Sequence, residues 1–151
     1  MNLLNFHFLK TLARIIKKNR DEFIIKNLKS IPLKKRLLDV GAGESQYKPF
    51  CSHLNYVSQD IAEYNPNTDN KGLHYQNWDF SKINIICEIT DIPEPNESFD
   101  VILCTEVLEH VPDPALVFPE LSRLLKPEGT LILTAPFYSL THFAPYHFST
   151  G

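Results

Sequence analysis

Cysteine is scarce in this 151-residue chain: Cys51, Cys87 and Cys104 are odd in number and form no C-x-x-C pair. That argues against a disulfide framework and against a zinc site. Buried thiols are the ordinary fate of such residues, and no metal is expected. Long apolar runs are missing too: no stretch approaches the roughly 18 uncharged apolar residues of a membrane-spanning helix. The apolar start from Leu3 to Leu9 is interrupted by Asn5 and His7 and has neither a preceding basic residue nor a small-residue cleavage site, so it fails as a signal peptide. Cytoplasmic residence is the resulting expectation. Also absent is the G-K-[ST] that cradles the phosphates of a nucleoside triphosphate, which excludes a P-loop enzyme.

What is present fits one domain with a real hydrophobic core, since 43% of the residues are hydrophobic and 22% charged. The net charge of −3 hides an asymmetry. Residues 1–36 carry ten Lys/Arg against Asp21 and Glu22, a net +8 that leaves −11 for the remainder. From Leu3 to Ile16 apolar residues recur at helical spacing, with Lys10, Arg14 and Lys17 beside them. One or two leading helices are expected, broken near Pro32. Residues 1–32 thus read as a basic helical extension, and residues 33–151 as the main domain. The basic face is either simply solvated or a contact for an anionic membrane surface or an acidic partner.

Beyond Pro32, short apolar runs alternate with helical stretches, the signature of βαβ units and a parallel sheet. Strands are expected at Arg36–Val40, Tyr56–Asp60, Ile85–Ile89, Phe99–Cys104 and Thr130–Thr134. A helix is expected from Pro114 to Leu125 with Asp113 as its N-cap, and a short one over Glu106–His110. The Asn-rich stretch from Ile61 to Asn84, which holds Trp78, receives no assignment.

The run Arg36-Leu37-Leu38-Asp39-Val40-Gly41-Ala42-Gly43 reads as a buried strand entering a glycine turn. In such sheets ligands sit at the carboxyl ends of strands, where glycines let the backbone come close. Asp60 lies 19 residues after Gly41, at the end of the next strand, where a carboxylate can accept from both hydroxyls of a ribose. Together these features imply an adenosine-type nucleoside. A dinucleotide is disfavoured, because Gln46 stands where the full fingerprint needs Gly or Ala.

From about Leu37 to Pro136 the chain resembles class I S-adenosylmethionine-dependent methyltransferases of the type 11 kind. Leu38-Asp39-Val40-Gly41-Ala42-Gly43 is similar to their first motif, Asp60 to their ribose-binding acid, and Thr90-Asp91-Ile92-Pro93 to the turn that holds the adenine. Ser98-Phe99-Asp100-Val101-Ile102 resembles their fourth strand, followed by Glu106-Val107-Leu108-Glu109-His110-Val111. Arg123-Leu124-Leu125-Lys126-Pro127-Glu128-Gly129 resembles their turn into strand five. The resemblance implies a Rossmann-like α/β three-layer sandwich with strand order 3-2-1-4-5. It also implies seven strands, of which the last two have no counterpart here, so strand five is expected near an open edge that invites a homodimer or a covering loop. Glu44-Ser45 departs from the pattern, since another glycine is frequent after Gly43.

S-adenosylmethionine as cofactor, with S-adenosylhomocysteine as product, would be held by Asp39, Gly41, Ala42, Gly43, Asp60, Ile61, Asp91 and Ile92. In that resemblance Asp39 favours the ammonium group, Asp60 the ribose and Asp91 the adenine amine, with the backbone near Ile92 on the ring edge. Asp100 and His110 fall on motifs that the family uses structurally. Methyl transfer needs alignment above all, and a hydroxyl acceptor benefits from a general base. His142, Tyr146 and His147 follow strand five, on a loop at the carboxyl edge of the sheet, and His142 and His147 are the candidate bases. The expected acceptor is a small molecule such as a sugar, lipid or other metabolite. A binding scaffold that acts through partners is the second reading. Nucleic acid is not expected, because the main domain is acidic.

Overall fold

A computed structural model describes residues 3–63, 79–136 and Phe148, with side chains described from Thr11 onward. The chain divides into two compact units, Met1–Ile31 and Pro32–Gly151.

The first unit is a single helix, α1 (Leu3–Ser30). No Gly or Pro interrupts it, and it stops two residues before Pro32, whose ring disfavours helical backbone in the residue ahead of it. Ion pairs one turn apart support its exposed side, Lys17 to Asp21 at 2.8 Å and Lys18 to Glu22 at 3.7 Å. Among the described residues no helix is long and apolar enough to cross a membrane.

The second unit is built on β1 (Arg36–Val40), β2 (Asn55–Asp60), β3 (Ile85–Ile86), β4 (Phe99–Thr105) and β5 (Leu125–Thr134). These strands form one parallel sheet in the order β3-β2-β1-β4-β5, the order expected from the sequence. β1 and β4 occupy the middle, and their runs Leu37-Leu38-Asp39-Val40 and Val101-Ile102-Leu103-Cys104 are buried throughout, as parallel strands covered on both faces must be. Helix α2 (Val117–Leu124) lays Val117, Leu121 and Leu124 on Leu38, Val40, Phe99, Ile102 and Cys104 to close the core. A 3-10 turn at Pro114–Leu116 leads into it, and there Asp113 accepts from the Ala115 amide at 3.1 Å, as an N-cap does.

Three boundaries differ from expectation, each for a local reason. β3 ends at Ile86, not Ile89, because the Cys87 amide makes the last ladder bond, to Asp60 O, while its carbonyl is diverted to Gln59 Nε2 at 2.6 Å. The segment after β4 makes only a 3-10 turn, Leu108–His110. β5 begins at Leu125, five residues before Thr130, because Leu125 pairs with Phe99 and the Lys-Pro-Glu-Gly turn bulges out before pairing resumes at Val101 and Thr130.

Around the amino ends of the strands, charges are tied together. Asp100 accepts from the Arg36 amide at 2.9 Å and pairs with Lys35 and Lys126, both at 3.0 Å. Burial pushes its pKa upward, yet that amide and the two lysines hold it at about 2. Arg36 reaches Glu94 at 2.9 Å, and Arg123 spans Glu120 and the Ile92 and Glu94 carbonyls. Arg123 is thereby explained as a clip between α2 and the segment entering β4.

Candidate active site

At the carboxyl end of β1 the chain turns through Gly41 and Gly43, both in the left-handed region, with φ of 61° and 53°. A Cβ at Gly41 would stand 2.5 Å from Val107 Cγ2, so the turn and the segment after β4 approach closely only because glycine is there. Ser45 has φ of 57°, a conformation that strains any residue with a Cβ. The glycine frequent in similar sequences at Glu44-Ser45 thus has a backbone reason; here the Ser45 amide donates to Ala42 O at 2.8 Å, and the turn ahead of it, at residues 41–43, is held by further hydrogen bonds.

Those further bonds come from β2. Asp60 is buried, and one carboxylate oxygen accepts from the Gly43 amide at 2.8 Å while the other accepts from the Ala62 amide at 2.9 Å. Gln59 takes the Gly41 amide on its side-chain oxygen and the Ala42 amide on its backbone carbonyl. Because Gln59 also donates to Cys87 O, one side chain joins the glycine turn to the end of β3.

A cavity of about 300 Å³ opens above these ends. Gly41, Asp60 and Ile61 line it from β1 and β2, Glu88 and Ile89 from beyond β3, and Glu106, Val107 and His110 from beyond β4. Glu63, Phe80, Val111, Pro112 and Phe148 complete the wall. Glu106 sits directly after β4 with φ of 55°, held by its amide on Thr134 O and by Thr134 Oγ1 on its carboxylate, both at 3.0 Å. Such strain is tolerated where surrounding bonds overdetermine it, and it concentrates at functional sites. His110 stands with Nε2 3.9 Å from the carboxylate of Glu109, which is almost wholly buried. Among the described residues no group of three or more His, Cys, Asp or Glu is placed to hold a metal ion.

Of the residues expected from the sequence, Gly41, Asp60 and Ile61 come together at this cavity. Ala42 and Gly43 form the turn beside it through their amides. Asp39 does not line it. Its buried carboxylate accepts from Tyr56 Oη at 2.5 Å, and burial pushes its pKa up to about 7, against the pull of the Tyr56 bond and with a further push from Asp60. Asp91 and Ile92 are also off the cavity: the Ile92 amide donates to Glu120 Oε1 at 2.7 Å and its side chain is core. Glu88 and Ile89 stand there instead. The signal for them was the end of β3, which reading the strand through Ile89 moved three residues too far. His142, Tyr146 and His147 lie outside the described residues, whereas His110, set aside as structural, faces the cavity.

The donor set fits an adenosine-bearing sulfonium and disfavours a phosphate. Two amide bonds leave lone pairs on Asp60 for a ribose diol, since a carboxylate offers about four acceptor sites. Among the described residues four carboxylates line the cavity and no lysine or arginine does, a lining that would repel a pyrophosphate and favour a cation.

A family model described as a methyltransferase domain matches residues 8–148. The chain belongs to the methyltransferase-domain family. A ubiquinone biosynthesis O-methyltransferase of Neisseria meningitidis is 34% identical over 107 residues, which cover 66% of this chain and 43% of that protein. The chain therefore spans less than half the length of that curated relative. YcgJ of Bacillus subtilis superposes with a TM-score of 0.56 at 22% identity, over 76% of this chain and 50% of that one. The [4+2]-cyclase SpnF superposes at 0.55 and 18% identity, over 76% and 42%. These structures establish the class I methyltransferase fold, and SpnF shows that the reaction must be argued from the site.

Proposed function

We propose that this methyltransferase domain binds S-adenosylmethionine at the carboxyl ends of β1, β2 and β3 and transfers its methyl group to a hydroxyl of a small molecule. One observation carries the reading: a glycine turn bonded to Asp60 opens on a cavity lined, among the described residues, by four carboxylates and no lysine or arginine. Asp60 would hold the ribose, and Gly41 would admit the backbone-proximal part of the cofactor. Glu88 would accept from the adenine amine, with Ile89 against the ring. Bound S-adenosylmethionine supplies a methyl group activated by positive sulfur, so the protein's part is alignment and proton removal.

His110 is the described side chain suited to take the acceptor proton, because it faces the cavity and has the Glu109 carboxylate behind it to stabilise the imidazolium. His142 and His147 remain candidates for the same role from the loop after β5. The relatives named as O-methyltransferases support oxygen as the acceptor atom.

A methyl-transfer assay with labelled S-adenosylmethionine against metabolite, glycan and RNA pools tests the reading. Label is expected in small molecules, and His110→Ala should slow transfer by about a hundredfold while cofactor affinity stays within about twofold. Label confined to RNA, or cofactor binding with no transfer to any pool, would contradict it.

A further inference from the structure

Helix α1 carries exposed apolar side chains. Leu12, Ile15, Ile16 and Phe23 are between 42% and 58% exposed. At 3.6 residues per turn they fall within an arc of about 100° and extend along about 17 Å of the helix. Single exposed apolar residues are ordinary, but four large ones on one stripe are not. Six Lys/Arg between Arg14 and Lys29 stand against Asp21 and Glu22 alone. By helical periodicity Glu22, Lys29 and Lys18 border the stripe on one side, Arg20 borders it on the other, and Asn19 is the one polar residue within it between Leu12 and Phe23. Lysine and arginine stems can lie along apolar material while their heads stay in water.

We propose that α1 is an interfacial anchor that docks on an anionic lipid bilayer, with Leu12, Ile15, Ile16 and Phe23 entering the acyl boundary and the bordering cations meeting the headgroups. Charge complementarity selects this occupant. Everything after residue 36 carries a net −11, which an anionic surface repels, so the attraction is confined to the helix. An apolar stripe between cations is the pattern of a helix lying in the membrane plane. The inference does not depend on the methyl-transfer reading and holds whatever the site binds.

Sedimentation of the full chain with vesicles of phosphatidylglycerol and phosphatidylcholine, compared with pure phosphatidylcholine, tests it. Partitioning to the anionic vesicles should be at least about tenfold stronger, and should weaken in high salt. Ile15→Glu/Ile16→Glu should reduce it by about tenfold or more without changing helicity by circular dichroism, because both side chains are already exposed. Should the variant lose helicity, Ile15→Ser/Ile16→Ser with unchanged helicity makes the same test. Equal binding to neutral and anionic vesicles, binding indifferent to these variants, or a dimer that the variants dissociate with no vesicle binding, would each overturn the proposal.

Discussion

Around the amino ends of the strands Asp100 is held by Lys35, Lys126 and the Arg36 amide, Glu94 by Arg36 and Glu120 by Arg123. At the carboxyl ends Asp60, Glu63, Glu88 and Glu106 line a cavity that no lysine or arginine among the described residues enters. The same side-chain chemistry serves two purposes, and the difference lies in what is supplied as a partner. Carboxylates matched to cations within the protein support the fold. Carboxylates that meet backbone amides, a hydroxyl or open space are placed to receive a cationic or hydroxyl-bearing ligand.

The comparison breaks most sharply at Asp60. Asp60→Ala should weaken S-adenosylhomocysteine binding by about 1.5 to 3 kcal/mol, the range for hydrogen bonds to a charged group. Wild-type affinity in a calorimetric titration of the variant would remove Asp60 from the site.

Asp39 sharpens the contrast, because it sits at the ligand end of β1 with Tyr56 as its donor. Its folded pKa of about 7 exceeds the ordinary value near 3.8, so the folded state holds a proton that the unfolded chain releases. That stabilisation is complete below about pH 4 and is lost as pH rises through about 7, an effect on the order of 4 kcal/mol. Asp39→Asn should flatten this dependence in denaturant titrations across pH 4 to 8. An unchanged slope would mean that Asp39 ionises as it does in water.

Asp100 should behave in the opposite sense. Held at about 2, it contributes stability above about pH 4 that disappears as pH falls toward 2. Asp100→Ala should cost about 1 kcal/mol, since its lysine partners are substantially exposed and screened, and should leave cofactor affinity within about twofold. A large loss of affinity would blur the division between the two ends.

The smallest effect is expected at Ser45. Replacing it with glycine relieves a left-handed backbone at the cost of chain entropy, so Ser45→Gly should change stability by less than about 1 kcal/mol, toward greater stability. Thermal unfolding at a fixed pH measures it, and a clear loss of stability would show that the Ser45 side chain matters more than its backbone.

Strand order, the glycine turn and Asp60 were legible in the sequence because each rests on local pattern: buried apolar runs, turn residues and a fixed interval between strand ends. Asp91 and Ile92 fall off the cavity, and Glu88 and Ile89 on it, because β3 stops at Ile86, where Gln59, a long-range partner, captures Cys87 O. The position of His110 was hidden for a related reason. Its motif identified the end of β4, but only the folded chain shows that Val107 packs against Gly41 and that His110 therefore faces the cavity.

The most direct measurement of the central claim is calorimetric titration of the folded chain with S-adenosylhomocysteine and, separately, with NAD and ATP. One-to-one binding of S-adenosylhomocysteine is expected, weakened about tenfold or more in Asp60→Ala, with no measurable binding of either phosphate-bearing nucleotide. Binding of NAD or ATP in preference to S-adenosylhomocysteine, or no affinity for S-adenosylhomocysteine in a folded sample, would contradict it.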